Sequence, residues 1–195
     1  SHFGNSGRGM MFPYRLAKSN GPAGYISRCD TPWVYGRNST IKRPLPTGIA
    51  GFTLRSVNPS ASFTLEFTAA LFEPGDTLSV TIYHALRDTC HTFELYNGIT
   101  GRLYPVSDST LPDQTSFRVD DQPGMVRIRA VRKNENQRSA IFYGLNLQGS
   151  KPGAVVHMIG VNGAKFISYL HSPAFAPQLA SLRPDLLIVS LGTNE

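Results

Sequence analysis

The stretch Phe63-Thr64-Leu65-Glu66-Phe67 sets large apolar side chains at every second position, with polar ones between them. A β-strand imposes that period, because successive side chains leave the backbone on opposite faces and only one face is buried. The pattern recurs on both sides. Phe52 and Leu54 alternate with Thr53 and Arg55, and Leu78, Val80 and Ile82 alternate with Ser79, Thr81 and Tyr83. Between these runs lie Asn58-Pro59-Ser60 and Glu73-Pro74-Gly75-Asp76, residue types that reverse a chain. Strand-like runs continue at 91–96, 116–119, 125–131 and 139–145, with Asn97-Gly98 and residues 121–124 as turns. A series of about seven short strands with no helical period between them predicts an antiparallel β-sandwich or jelly roll over residues 25–150.

The flanks differ. The opening, Phe3-Gly4-Asn5-Ser6-Gly7-Arg8-Gly9, reads as a tight loop whose glycines allow backbone conformations closed to other residues. It lacks the lysine and hydroxyl residue that a phosphate-binding loop requires. Residues 18–48, rich in Gly, Pro, Ser and Asn, read as an irregular connector holding at most one or two short strands. After Gly149-Ser150-Lys151-Pro152-Gly153 the texture changes again. Ala154-Val155-Val156-His157-Met158-Ile159-Gly160 and Leu186-Leu187-Ile188-Val189-Ser190-Leu191 are nearly continuous apolar runs, the composition of strands buried on both faces, as in parallel sheets. Between them Phe166, Ile167 and Leu170 recur at helical spacing, and Leu179 and Leu182 continue it after a break at Pro173 and Pro177. Strand, helix and strand in that order predict a βαβ unit with a right-handed crossover over residues 151–195.

In an open α/β sheet, ligands bind beyond the carboxyl ends of the strands. The two turns at such ends are Gly160-Val161-Asn162-Gly163-Ala164, leading into a helix, and Gly192-Thr193-Asn194-Glu195. Free backbone N–H groups and the positive end of a helix dipole in the first, with a side-chain amide from the second, are suited to an oxyanion. The Gly163 N–H and the Asn194 amide converging on one point would form a two-donor oxyanion hole. Glycine and asparagine also populate such turns simply because they tolerate the geometry; it is the occurrence of both turns on consecutive strands that points to chemistry.

These residues resemble the SGNH (GDSL-type) hydrolases. Gly163 in its Gly-Val-Asn-Gly-Ala context matches the family's second block, and Gly192-Thr193-Asn194-Glu195 matches the third. The match is closest to the subgroup similar to peptidoglycan and polysaccharide O-acetylesterases, which carry a β-sandwich similar to a carbohydrate-binding module between their first and second blocks. Residues 3–9 resemble the Gly-rich segment that comes after the first helix of that subgroup. The resemblance implies three parts: a segment of the hydrolase core at 1–24, an inserted sandwich at 25–150, and the βαβ segment at 151–195. It further implies serine-ester hydrolysis, with a serine of a Gly-Asp-Ser block as nucleophile, a histidine of an Asp-x-x-His block as base, and the serine N–H, Gly163 and Asn194 around the oxyanion. No Gly-Asp-Ser occurs in the sequence, no Asp-x-x-His is present after Gly192-Thr193-Asn194-Glu195, and Ser1-His2 is not followed by the helix that would precede the Gly-rich loop in the subgroup. A buried strand ending on its own turn also implies an incomplete sheet. The chain alone is therefore expected to lack esterase activity. The expected substrate is an O-acetylated polysaccharide or peptidoglycan, the setting exported, periplasmic or cell envelope, and no cofactor is expected.

Bulk composition and the remaining residues bear on the same question. The chain has 195 residues, 41% hydrophobic and 16% charged, enough to bury a core and far from a disordered composition. It contains no run of about 18 apolar residues, so no membrane-spanning helix is expected, and its first residues carry no basic-then-apolar signal. A net charge of +6 invites polyanions, but the densest basic group, Arg127, Arg129, Arg132, Lys133 and Arg138, falls in and after a strand-like run and reads as a solvated sheet face. No nucleic-acid partner is expected. His84, Cys90 and His91 invite a zinc reading, yet a structural zinc takes four ligands, and histidines on the surface around a β-turn are the simpler reading. Cys29 and Cys90 form one disulfide or remain two thiols; spacing does not decide between them. Trp33, Tyr35, Tyr83, Tyr96 and Tyr104 form a sugar-stacking platform or serve as core and rim residues. The alternative function is accordingly a non-catalytic carbohydrate-binding sandwich.

Overall fold

The computed structural model describes residues 4–40, 42, 45–71 and 75–194. It contains eleven strands: β1 (Gly7–Met11), β2 (Tyr25–Cys29), β3 (Val34–Arg37), β4 (Phe52–Ser56), β5 (Ser62–Phe67), β6 (Leu78–His84), β7 (Thr92–Asn97), β8 (Val106–Asp108), β9 (Gln114–Val119), β10 (Met125–Val131) and β11 (Ala140–Gly149). A 3₁₀ turn at Tyr14–Ala17 and two helices, α1 (Phe166–Leu170) and α2 (Phe175–Leu182), complete it. Of the turn expected at 73–76, Glu73 and Pro74 lie outside the described residues, as do Ser1, His2, Phe3 and Glu195.

The strands form two antiparallel sheets, one in the order β3-β4-β11-β6-β9-β8 with β1 also on β11, the other in the order β2-β5-β10-β7. This architecture is consistent with a β-sandwich. Its core is the set of alternate residues that the period-two pattern marks: Phe52, Leu54, Phe63, Leu65, Ile82 and Ile128 are all at most 2% exposed. Side chains from both sheets interlock there, with the rings of Phe63 and Phe142 meeting edge to face at 5.0 Å. Each such side chain, fully buried, contributes about 1.5–3 kcal/mol.

β11 is the longest strand and the organising one. Along one edge it pairs with β6; along the other, Ala140, Ile141 and Phe142 pair with β4 and residues 145–148 pair with β1. The Gly-rich opening, expected as a loop, is thus a bulged strand, its register shifting between Gly7 and Gly9. The connector at 18–48 holds two short strands, β2 and β3.

A third layer covers the outer face of the larger sheet. Met10, Ile49, Tyr83 and Tyr143 form a second buried cluster against Ala174, Leu179 and Leu182. Buried polar contacts tie this layer down: Ile49 N–H donates to Gln178 Oε1 at 2.9 Å, and the Thr47 and Ser172 hydroxyls share a bond of 2.7 Å. Tyr83 and Ser181 hydroxyls meet at 3.1 Å. The helical break falls at Pro173 as expected, but Pro177 sits inside the first turn of α2, where a missing N–H costs nothing. Arg183, in the left-handed region at φ 47°, ends that helix ahead of Pro184.

The apolar runs 154–160 and 186–191, expected as buried parallel strands, are neither laddered nor buried. Apart from a parallel bridge between Asn5 and Ala154, no β-pairing involves them among the described residues. Val156 is 70% and Ile188 79% exposed. A strand buried on both faces needs neighbours on both edges, about 4.8 Å away, and cover above and below; the described residues supply cover chiefly through α1, α2 and β1. Both runs are nonetheless free of turns and bends, and 154–160 alternates exposed and half-buried residues, the period of an extended chain. No helix of the described residues is long and apolar enough to cross a membrane.

Candidate oxyanion site and the adjoining groove

Val161 and Ala164, 8% and 4% exposed, anchor the first turn on the sandwich core, and Ala164 N–H closes it by donating to the Val161 carbonyl at 3.0 Å. Gly163, between them, sits at φ +78°, a conformation that strains any side chain, and nothing lies within 4 Å of where its Cβ would stand. Its N–H has no partner among the described residues. The second turn comes to meet the first: Asn194 Nδ2 donates to the Ala164 carbonyl at 3.4 Å. The two candidate residues, 31 positions apart in sequence by number, therefore belong to one small surface, with Gly163 and Asn194 both exposed. One amide hydrogen of Asn194 is spent on Ala164; the other has no partner among the described residues. The helix after the first turn, expected to lend its dipole, is only five residues long and contributes little of it.

An apolar groove of about 1310 Å³ runs up to these turns. Residues 156–160 and 187–191 line it, together with Met10, Tyr14 and Tyr25 from the sandwich side and Phe166, Tyr169 and Leu179 from the helices. Among the described residues no Asp or Glu lines it. Two side chains to which sequence reasoning gave no role stand in it: Arg8, whose guanidinium fills the space that a Cβ on Gly24 would take, and His157. Burial lowers the His157 pKa, and its Nδ1 has no hydrogen-bond partner among the described residues. No atom of His157 lies within 4 Å of where a Cβ on Gly163 would stand. No signal in the sequence marks Arg8, because a lone arginine among glycines has no pattern to stand out from.

The remaining candidates are dispersed. His84 and His91 are 0% and 1% exposed, not at the surface. Sheet alternation turns His84 into the core, where Nδ1 bonds the Ala85 carbonyl at 2.7 Å and Nε2 the Thr115 hydroxyl at 3.1 Å. No group of metal-ligating side chains occurs among the described residues. Cys29 is exposed and Cys90 buried, both as free thiols. The five aromatics make no common platform. Tyr104 is buried with its hydroxyl on Asp121, Tyr83 lies under α2, Trp33 packs edge to face on Phe63, and Tyr35 is partly buried against the core. Tyr96 sits on the outer face of the smaller sheet beneath Arg129. On that same face Arg127 pairs with Asp30 at 2.9 Å, while Arg129 and Lys133 pair with Glu94 at 2.9 and 3.9 Å, so acids interrupt the densest basic group.

Compared with models of known protein families and with curated proteins, the chain matches none.

Proposed function

We propose that this chain is a segment of an SGNH/GDSL-type serine esterase, a carbohydrate or peptidoglycan O-acetylesterase of the cell envelope. Gly163 and Asn194 hold the oxyanion, and the nucleophilic serine and histidine base come from polypeptide outside this sequence. The observation that supports this reading best is the contact of the Asn194 amide with the Ala164 carbonyl, which puts the two turns at one point. As a serine hydroxyl attacks an acetyl carbonyl, negative charge grows on the carbonyl oxygen. Donors fixed around that oxygen lower the barrier, and removing one such donor costs about 10²–10³ in rate. The sandwich serves as an accessory domain on whose core Val161 and Ala164 anchor the first turn of the site.

The test is hydrolysis of a chromogenic acetyl ester by this chain and by a longer polypeptide containing it together with Gly-Asp-Ser and Asp-x-x-His blocks. The chain alone is expected to be inactive. The longer polypeptide is expected to turn over and to lose about 10²–10³ of its kcat with Asn194→Ala. Turnover by the isolated chain that survives Asn194→Ala would overturn the assignment.

The alternative, a non-catalytic glycan-binding sandwich, draws less support. The aromatics that would stack on sugars are divided between the core and opposite outer faces, and Arg129 occupies the ring of Tyr96, 5.3 Å from its centroid.

A further inference from the structure

Residues 47–51, the loop that leads into β4, are buried throughout. Connections rarely are, because burial takes water away from their polar backbone. Here that backbone finds partners within the protein. Gly51 N–H donates to the Gly48 carbonyl at 2.9 Å, and Asn38 N–H donates to the Gly51 carbonyl at 2.9 Å. Both backbone groups of Gly51 are therefore fixed, at φ +69°. A Cβ on Gly51 would stand 2.4 Å from Val161 Cγ2 and 3.0 Å from the Asn38 side-chain nitrogen. The space that a side chain at position 51 would take is thus filled by a methyl of Val161. Val161 in turn opens the turn that holds Gly163. Its carbonyl accepts the Ala164 N–H at 3.0 Å, which closes a four-residue turn with Gly163 third, and its backbone bonds the Tyr169 hydroxyl of α1. A branched Cβ leaves Val161 few rotamers with which to avoid a neighbour. Carbon atoms meet at about 3.5–4.0 Å, so a methyl at position 51, starting 2.4 Å from Cγ2, displaces Val161 by about 1 Å or more. The turn moves with it, and so does the Gly163 N–H.

We propose that Gly51 is a positioning residue for the candidate oxyanion site: having no side chain, it lets Val161 seat on the sandwich, and that seat aims the Gly163 N–H. The inference rests on the ester-hydrolase reading. It makes the sandwich a determinant of rate, because a loop of the sandwich sets the direction of a donor 112 positions further along by number.

The test uses the longer polypeptide that contains this chain with the Gly-Asp-Ser and Asp-x-x-His blocks. Gly51→Ala, Val161→Gly, the double variant Gly51→Ala/Val161→Ala, and Asn194→Ala are compared with the unaltered protein by kcat and KM on a chromogenic acetyl ester and by urea unfolding. A misplacement of about 1 Å costs on the order of 10²-fold in rate, and Gly51→Ala is expected to lose that much kcat with KM unchanged. The double variant removes the clash but keeps the backbone strain at φ +69°. Its urea midpoint is expected to stay below that of the unaltered protein while its kcat returns to within about tenfold. A merely structural role would move the two quantities together. A double variant no faster than Gly51→Ala would therefore overturn the proposal, as would Gly51→Ala with unchanged kcat. Val161→Gly removes the seat and leaves residue 51 alone, so it is expected to lose about tenfold or more in kcat. Full activity in that variant would overturn the proposal even where Gly51→Ala does not fold. A loss of about 10²–10³ with Asn194→Ala, beside undiminished Gly51 and Val161 variants, would overturn the positioning role and leave the oxyanion reading standing. Unchanged kcat in Asn194→Ala would overturn both.

Discussion

The side-chain carbonyl of Gln178 accepts the backbone N–H of Ile49 at 2.9 Å, with both residues at most 1% exposed. Helix α2 thereby satisfies a loop donor in the cluster that it covers on the outer face of the larger sheet. Gln178→Leu keeps the bulk but leaves that N–H unpaired in a dry site, which costs about 1–3 kcal/mol. Urea unfolding should show the midpoint fall accordingly, with Ile49 among the amides whose exchange accelerates most.

His84 makes stability depend on pH. Burial pushes its imidazole down to about 4, while the unfolded chain takes up a proton near the ordinary 6.5. The folded state holds the neutral ring, so this contribution is complete above about pH 6.5 and is lost as pH falls toward 4, on the order of 3 kcal/mol in all. His91 and His157 shift in the same direction, also through burial. Denaturant melts between pH 4 and 7 should show stability declining with acid, and His84→Gln should flatten that decline without abolishing it.

Gly9 adopts φ +64°, and a Cβ there would stand 2.5 Å from the Val156 carbonyl oxygen and 3.1 Å from His157 Nδ1. Gly9→Ala combines backbone strain with a clash and should cost more than about 1 kcal/mol. The loss should be concentrated where β1 lies against residues 156 and 157, and hydrogen exchange by segment would locate it there.

Tyr104 is 1% exposed and donates its hydroxyl to Asp121 Oδ1 at 2.5 Å, while Asn97 Nδ2 donates to Oδ2 of the same carboxylate at 3.0 Å. Tyr104→Phe removes a donor to a charged acceptor, worth about 1.5–3 kcal/mol. A matching fall in the urea midpoint is expected, with the ring packing preserved.

Strands were legible where one face is dry and the other wet. Phe63, Leu65 and Phe67 declare themselves because the water on the far side selects Thr64 and Glu66. β1 could not be read so, since Gly7-Arg8-Gly9 has almost no side chains to alternate; only the ladder with β11 makes it a strand. β8 is exposed at all three residues, so no burial shaped its sequence. The tail errs the other way. Its composition demands two-sided burial, and without neighbours on both edges the pairing that defines a strand does not form. His84 and His91 were misplaced because a histidine carries too weak a preference to reveal its face; for His84, two residues on from Ile82 in the same strand, the register would have done so. At the candidate site, Gly163 and Asn194 were legible as turn residues, and their meeting at Ala164 is a tertiary fact that no spacing encodes.

Ser6 and Gly149 are 143 positions apart, yet Gly149 N–H donates to the Ser6 carbonyl at 2.6 Å, and one step on, Ser6 N–H donates to Ala154. The chain that leaves for the sandwich and the chain that returns from it are therefore neighbours on adjacent rungs. The excursion closes at that point and is held again where Thr47, Ile49 and Tyr83 bond Ser172, Gln178 and Ser181, so the loops within it can change length while the segment before Ser6 and the segment after Gly149 keep the same separation. Whatever the flanking segments build, they build across a gap of one hydrogen bond.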